Sequence, residues 1–200
     1  MTAHTVVFES LQQAQAALNA LLANAGTQDK IVAASNLIAE SIRAGGRVFS
    51  CGNGGSMCDA MHLAEELSGR FRGNRKGLPA QAISDAGYLS CVANDFGYEA
   101  VFARYLQSHA RAGDVLVAIS TSGTSKNVLA AASAAAAIGM QTVVLTGHSG
   151  SPLAAAADCA ICTPGGRYAD RVQELHIKVI HILIELIERD LFPENYAAVR

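Results

Sequence analysis

His62 and Glu66 lie four residues apart in Met57–Ser68, a stretch that reads as helix, so both side chains project from one face. An imidazole and a carboxylate so placed offer two ligands to a divalent metal. The same spacing also describes an ordinary solvated pair. Glu65 precedes Glu66 directly, and by helical geometry only one of the two is expected to share the face of His62. A further histidine, His181, sits among Ile180, Ile182, Leu183 and Ile184 in a long apolar helix. A histidine in that setting is more often a satisfied core residue than a ligand. His176 is roughly 140° round the same helix from His181, so the two cannot serve one site directly.

Hydroxyls form the second concentration of chemistry. Ser120, Thr121, Ser122, Thr124 and Ser125 crowd a loop between the apolar run Asp114–Ile119 and the alanine-rich stretch Asn127–Ile138. Several hydroxyls with backbone N–H groups can satisfy a phosphate without a buried cation. Capping of the following helix would need one hydroxyl, not five. A glycine loop, Gly52-Asn53-Gly54-Gly55-Ser56, precedes the helix that carries His62. Its backbone could approach an anion at an electropositive helix start. It is neither G-x-G-x-x-G nor a Walker A loop, since no lysine follows, which argues against a nucleotide cofactor.

The elements that must hold these loops alternate. Helices are expected at Val6–Ala25 and Asp29–Ala44, stopped by Gly45-Gly46. Strand and helix patterns then follow in turn: Arg47–Cys51, Met57–Ser68, Ala80–Ser84, a short helix or turn at Tyr88–Asn94, Tyr98–His109, Asp114–Ile119, Asn127–Ile138, Gln141–Thr146, Ser151–Ala157, Asp158–Cys162 and Tyr168–Leu191. Short continuous apolar strands between helices indicate an α/β fold: a five-stranded parallel sheet with helices on both faces, preceded by a helical hairpin. Ligands of such sheets bind at the carboxyl ends of strands near a topological switch, where both loops lie. The whole chain, 1–200, reads as one domain, with helices of about 6–44 used in oligomerisation. Val7, Leu11, Ala14, Leu18 and Leu21 make a narrow seam on the first helix, and Tyr168–Leu191 reads as apolar almost all round. Pro193–Arg200 reads as a mobile tail.

Composition excludes several classes. The 200 residues carry a formal net charge of −2, so nucleic acid is not an expected partner. No apolar run approaches the ~18–20 residues that span a bilayer, and Met1–Thr5 lacks the layout of a signal peptide. Five scattered cysteines, an odd number, fit a reducing cytoplasm. Cys159 and Cys162 fall on opposite faces of a strand and read as small core residues rather than a metal or redox pair.

Ile119-Ser-Thr-Ser-Gly-Thr-Ser125 resembles the phosphate loop of SIS (sugar isomerase) domains. Cys51–Ser56, Asp59-Ala-Met-His62, Ala64-Glu-Glu66, Asn94-Asp95-Phe-Gly97 and Tyr168–His181 are similar to the corresponding runs of the bacterial phosphoheptose isomerases, in one order from about Val6 to Leu191. Met57 stands where many relatives have histidine or alanine. The resemblance implies a flavodoxin-like SIS fold, a sugar-phosphate substrate, a homotetramer and one zinc per subunit. It places His62, Glu66, Gln173 and His181 on the zinc ligands, with Glu66 as base and His181 as acid of an aldose–ketose isomerisation. Ligand and base roles then compete for one carboxylate. Substrate contacts are implied for Asn53, Gly54, Gly55, Ser56, Glu66, Asn94, Asp95, Ser120, Thr121, Ser122, Ser125 and Gln173, with Asp170 in support and Arg70 reaching phosphate, in one reading from a neighbouring subunit. Asn94–Gly97 alone also reads as a turn. A non-catalytic SIS adaptor or sensor is the alternative; it would keep Ser120–Ser125 without needing His62, Glu66, Gln173 and His181.

Overall fold

The computed structural model describes residues 1–166 and 168–197. Two helices, α1 (Ala3–Leu22) and α2 (Ala25–Arg43), precede the sheet. Thr2 caps the first through its hydroxyl on the Thr5 N–H at 3.2 Å. Asn24 caps the second on the Thr27 N–H at 3.0 Å, which starts α2 four residues before the sequence pattern suggested.

Strand and helix then alternate: β1 (Val48–Gly52), α3 (Gly55–Ser68), β2 (Ala80–Ala82), α4 (Ala86–Phe96), a 3₁₀ turn at Tyr98–Ala100, α5 (Val101–His109), β3 (Val115–Ser120), α6 (Lys126–Ile138), β4 (Gln141–Thr146), α7 (Pro152–Ala155), β5 (Cys159–Cys162) and α8 (Ala169–Leu191). All neighbouring strands pair in parallel, in the order β2-β1-β3-β4-β5. The register runs from Val48 beside Val115 to Gly52 beside Ile119. That order reverses between β1 and β3, so the loops after these two strands flank the switch point.

Alternation within the strands sorts the core into two layers. Val48, Val115, Val117, Ile119, Val143, Leu145 and Ile161 face α2, α3 and α8. Phe49, Cys51, Leu116, Ala118 and Val144 face the opposite layer, with Phe102, Leu106, Val128 and Leu153. Burial pushes the Cys51 thiol up to about 12, so it stays protonated and inert. Cys159 is buried and Cys162 half-buried, and all five cysteines are free, consistent with packing roles.

Two expectations change. The helix α8 is not apolar all round: Val172, Leu175, Val179, Ile180, Leu183, Ile184 and Ile187 are buried within this chain, while Glu174, Lys178, Arg189 and Asp190 are exposed. It therefore presents no apolar face to solvent. The exposed apolar seam lies on α1, where Val7, Leu11 and Leu18 are 58%, 66% and 38% exposed and only Leu21 is buried. The tail is also anchored: Pro193–Tyr196 forms a 3₁₀ turn, and Tyr196 donates its hydroxyl proton to Glu188 at 2.8 Å. Residues 198–200 lie outside the described residues. No helix among the described residues is long and apolar enough to cross a membrane.

Candidate active site

The serine loop leaves β3 at Ser120 and enters α6 at Lys126. Ser120 is buried; its hydroxyl accepts from the Gly123 N–H at 3.2 Å and lies 3.0 Å from the Ser125 hydroxyl. Gly123 has φ +67°, and a Cβ there would collide with the Ser151 hydroxyl, so the turn requires glycine. Ser125 occupies the N-cap position of α6 yet makes no side-chain cap bond. The hydroxyls are therefore not spent on helix capping. Ser122 and Thr124 are exposed and bonded to each other at 3.0 Å. They open on a hollow of about 520 Å³ shared with Gly147, His148, Ser149 and Ser151. Thr121 and Ser122 also line a smaller pocket with His148 and Tyr168.

The glycine loop faces it across the switch point. Ser56 is buried, and its N–H and that of Met57 close turns onto the carbonyls of Asn53 and Gly54, each at 3.0 Å. What the loop presents outward is the exposed backbone of Gly54 and Gly55. Gln173 of α8 lies so close that a Cβ on Gly55 would stand 2.7 Å from its amide nitrogen. The Asn53 carboxamide pairs reciprocally with that of Asn127, both bonds 2.8 Å, and accepts from the Tyr98 hydroxyl at 3.1 Å. Asn127 ties the two loops together. Sequence reasoning passed over it, because an asparagine after a serine loop reads only as a helix start. Met57 packs against the α4–α7 layer, which accounts for an apolar side chain there.

From α3 and α8 comes the metal-type cluster. His62 Nε2 lies 2.9 Å from His181 Nε2 and 3.7 Å from Glu66 Oε1. Two imidazole nitrogens this close either share one proton as neutral rings or converge on a cation. Burial, then His62 and Lys178, lowers the His181 pKa, with Glu66 opposing, which favours the neutral ring that a metal requires of a ligand. Phe71 stacks on it at 5.7 Å. His181 is therefore not a mere core residue. Two imidazoles and a carboxylate are donors that suit zinc.

Glu65 departs from expectation. Its Oε1 sits 3.3 Å from His62 Nδ1, because positions i+3 and i+4 both flank residue i on a helix. Ligand atoms of His62, Glu65 and Glu66 all lie within 4.8 Å of one another. Asp59, one turn before His62, carries a buried oxygen without a hydrogen bond; burial raises its pKa to about 6, offset in part by His62. His176, by contrast, is fully buried against the sheet, away from this cluster.

Gln173 lies roughly 12 Å along α8 from His181, at the glycine-loop end of the α3–α8 contact. Asn94 and Asp95 are not a turn but exposed residues in the last turn of α4; Asn94 donates to Asp95, which also accepts from the Cys91 thiol. Asp170 is exposed and pairs with Arg171, and Arg70 is exposed just past α3. A larger cleft of about 560 Å³ lies between α1 and the start of α8, lined by Gln13, Ala17, Pro164 and Arg171 and by none of the expected site residues.

A family model described as SIS domain matches residues 11–147. Curated phosphoheptose isomerases from Yersinia pestis (strain Pestoides F) and Serratia proteamaculans (strain 568) are 54% and 53% identical over 188 residues, 94% of this chain and 97% of each relative. Among solved structures, a phosphoheptose isomerase from Francisella tularensis superposes with TM-score 0.89 at 30% identity, over 94% of this chain and 100% of that one. The one from Neisseria gonorrhoeae gives 0.78 at 36%, over 92% and 96%. Sequence identity over nearly the full length and the switch-point architecture agree: this chain belongs to the phosphoheptose isomerases of the SIS-domain family.

Proposed function

We propose that the chain interconverts sedoheptulose 7-phosphate and D-glycero-D-manno-heptose 7-phosphate, with Glu66 and His181 as the acid–base pair. The observation that carries this is the convergence of Glu66, His62 and His181 from α3 and α8, in a chain of this family. An adaptor that only bound sugar phosphate would have no need of these residues.

Isomerisation moves one proton between neighbouring carbons and one between their oxygens. The Glu66 carboxylate takes a proton from C1 of the ketose, and His181 gives one to the C2 oxygen, leaving an enediol. Glu66 then returns a proton to C2 while the C1 hydroxyl gives its own to His181, which completes the aldose and restores both groups. His62, Glu66, Gln173 and His181 would hold zinc, which when bound supplies Lewis acidity toward the developing oxyanion. Ser120, Thr121, Ser122 and Ser125 receive the phosphate. Asn53–Ser56 line the opposite wall, Asn94 and Asp95 hold sugar hydroxyls, and Asp170 and Arg70 act in support.

Residues 1–200 act as one domain, with helices of about 6–44 as the assembly surface of a homotetramer. The exposed seam of α1 supports this. The reaction is the first step toward the heptose of the lipopolysaccharide core, in the cytoplasm. The test is conversion of sedoheptulose 7-phosphate followed by NMR. Activity should vanish with chelator and return with zinc. Full turnover in rigorously metal-free protein would remove the metal from the proposal, and no turnover in zinc-replete protein would end it.

A further inference from the structure

Glu66 and His181 stand on different helices, so their relation depends on how α3 meets α8. One buried group grips both helices. The side chains of Arg75 and Glu188 are each 1% exposed, and Arg75 Nε donates to Glu188 Oε1 at 2.6 Å. The rest of the guanidinium turns to α3. Its Nη2 donates to the carbonyl of Glu66 itself at 2.8 Å, and Nη1 donates to Leu67 at 2.8 Å and Gly69 at 3.1 Å. These are carbonyls that a helix leaves unpaired at its C-terminus. Glu188 lies seven residues beyond His181, two turns on and nearly the same face. Its second oxygen accepts from Tyr196, so the C-terminal turn closes the network. The segment between α3 and Arg75 carries Phe71, stacked on His181, and Arg72, paired with Glu185 at 2.7 Å.

A buried ion pair is weak as a source of stability, because desolvation offsets the attraction; its worth lies in fixing geometry. The planar fork of arginine fixes it here in a way that lysine cannot. We propose that Arg75 is a positioning residue: it clamps the C-terminal end of α3 to α8 and so sets the Glu66–His181 geometry, with Glu188 and Tyr196 completing the clamp. This rests on the acid–base roles proposed above.

The test uses the full chain and compares Arg75→Met, Glu188→Leu, the two combined, Arg75→Lys and Tyr196→Phe. Unfolding midpoint, zinc affinity by competition with a chromophoric chelator, kcat and KM are read for each. The single charge deletions should lose stability, and the combined variant should regain most of it. Its kcat should nonetheless stay about 10–100-fold low, with zinc affinity reduced by a similar factor and KM little changed. Arg75→Lys should show the same loss while remaining folded, and Tyr196→Phe a smaller loss in the same direction. Recovery of kcat and zinc affinity together with stability in the combined variant would show a purely structural pair and overturn the proposal. Should the combined variant not fold, wild-type kcat and zinc affinity in Arg75→Lys would overturn it equally. If the wild type does not turn over sugar phosphate, the isomerase reading fails, and the zinc-affinity arm still decides the clamp.

Discussion

His176 gives the pH dependence of stability its most distinctive contribution. The ring is fully buried in α8, and neither nitrogen makes a hydrogen bond of ordinary geometry; the Thr146 backbone eases the charged form only weakly. Burial lowers its pKa from 6.5 to about 4. A base with a depressed folded pKa binds its proton more readily when unfolded. Its stabilising contribution is complete above the unfolded value, 6.5, and is lost as pH falls toward 4. Between about pH 7.5 and about pH 5 the loss works out at about 2 kcal/mol. Asp59 acts with the opposite sign: its carboxyl is raised from 3.8 to about 6, so its contribution is present below the lower value and lost as pH rises through the upper. A bare pH profile therefore mixes the two. Urea unfolding of wild type and His176→Leu at both pH values separates them, because Asp59 cancels in the difference. The stability of the wild type relative to the variant should fall by about 2 kcal/mol on acidification. A difference that does not change with pH would show that His176 is not held neutral by burial.

Other variants address the site itself. Glu66→Gln and His181→Gln should each lower kcat by about 10²–10⁴, far more than they weaken substrate binding; near-normal kcat in both would remove the acid–base assignment. Glu65→Gln should be milder than Glu66→Gln. Because Glu65 contacts His62 Nδ1, its effect should appear in zinc affinity as well as rate, and an equal kcat loss in the two variants would misplace the base. Ser122→Ala and Ser125→Ala should mainly raise KM, each hydroxyl on a charged phosphate being worth about 1.5–3 kcal/mol; unchanged KM in both would place the phosphate elsewhere. Replacing the exposed Leu11 and Leu18 by Asp should break the assembly and activity together, and a monomer with full turnover in sedimentation would separate the two.

The sheet was legible because its strands are short apolar runs punctuated by glycine, a pattern set by burial on both faces. Both loops could be placed at strand ends for the same reason. Composition misled on α8, where the number of apolar residues hides the charged stripe of Glu174, Lys178 and Arg189. The start of α2 was missed because Asn24 acts through one cap bond rather than through periodicity. Glu65 was set aside by an angle, although i+3 lies as near to His62 as i+4 does. Arg75 could not be found at all: it stands in a polar run, Arg70–Lys76, that reads as solvated surface. Its burial is decided by Glu188, 113 residues away. Asn127 is hidden likewise, since its partner Asn53 is 74 residues distant.

The most direct measurement runs the isomerisation in D₂O with zinc-replete protein and sedoheptulose 7-phosphate, observed by NMR. The aldose should form with deuterium at C2 in at least part of the product, delivered by a carboxylate that exchanges with solvent; Glu66 is 20% exposed and open to it. Label should vanish with turnover in Glu66→Gln. Conversion with no deuterium at C2, even on long incubation, or full labelling in the Glu66→Gln variant, would contradict proton transfer through Glu66.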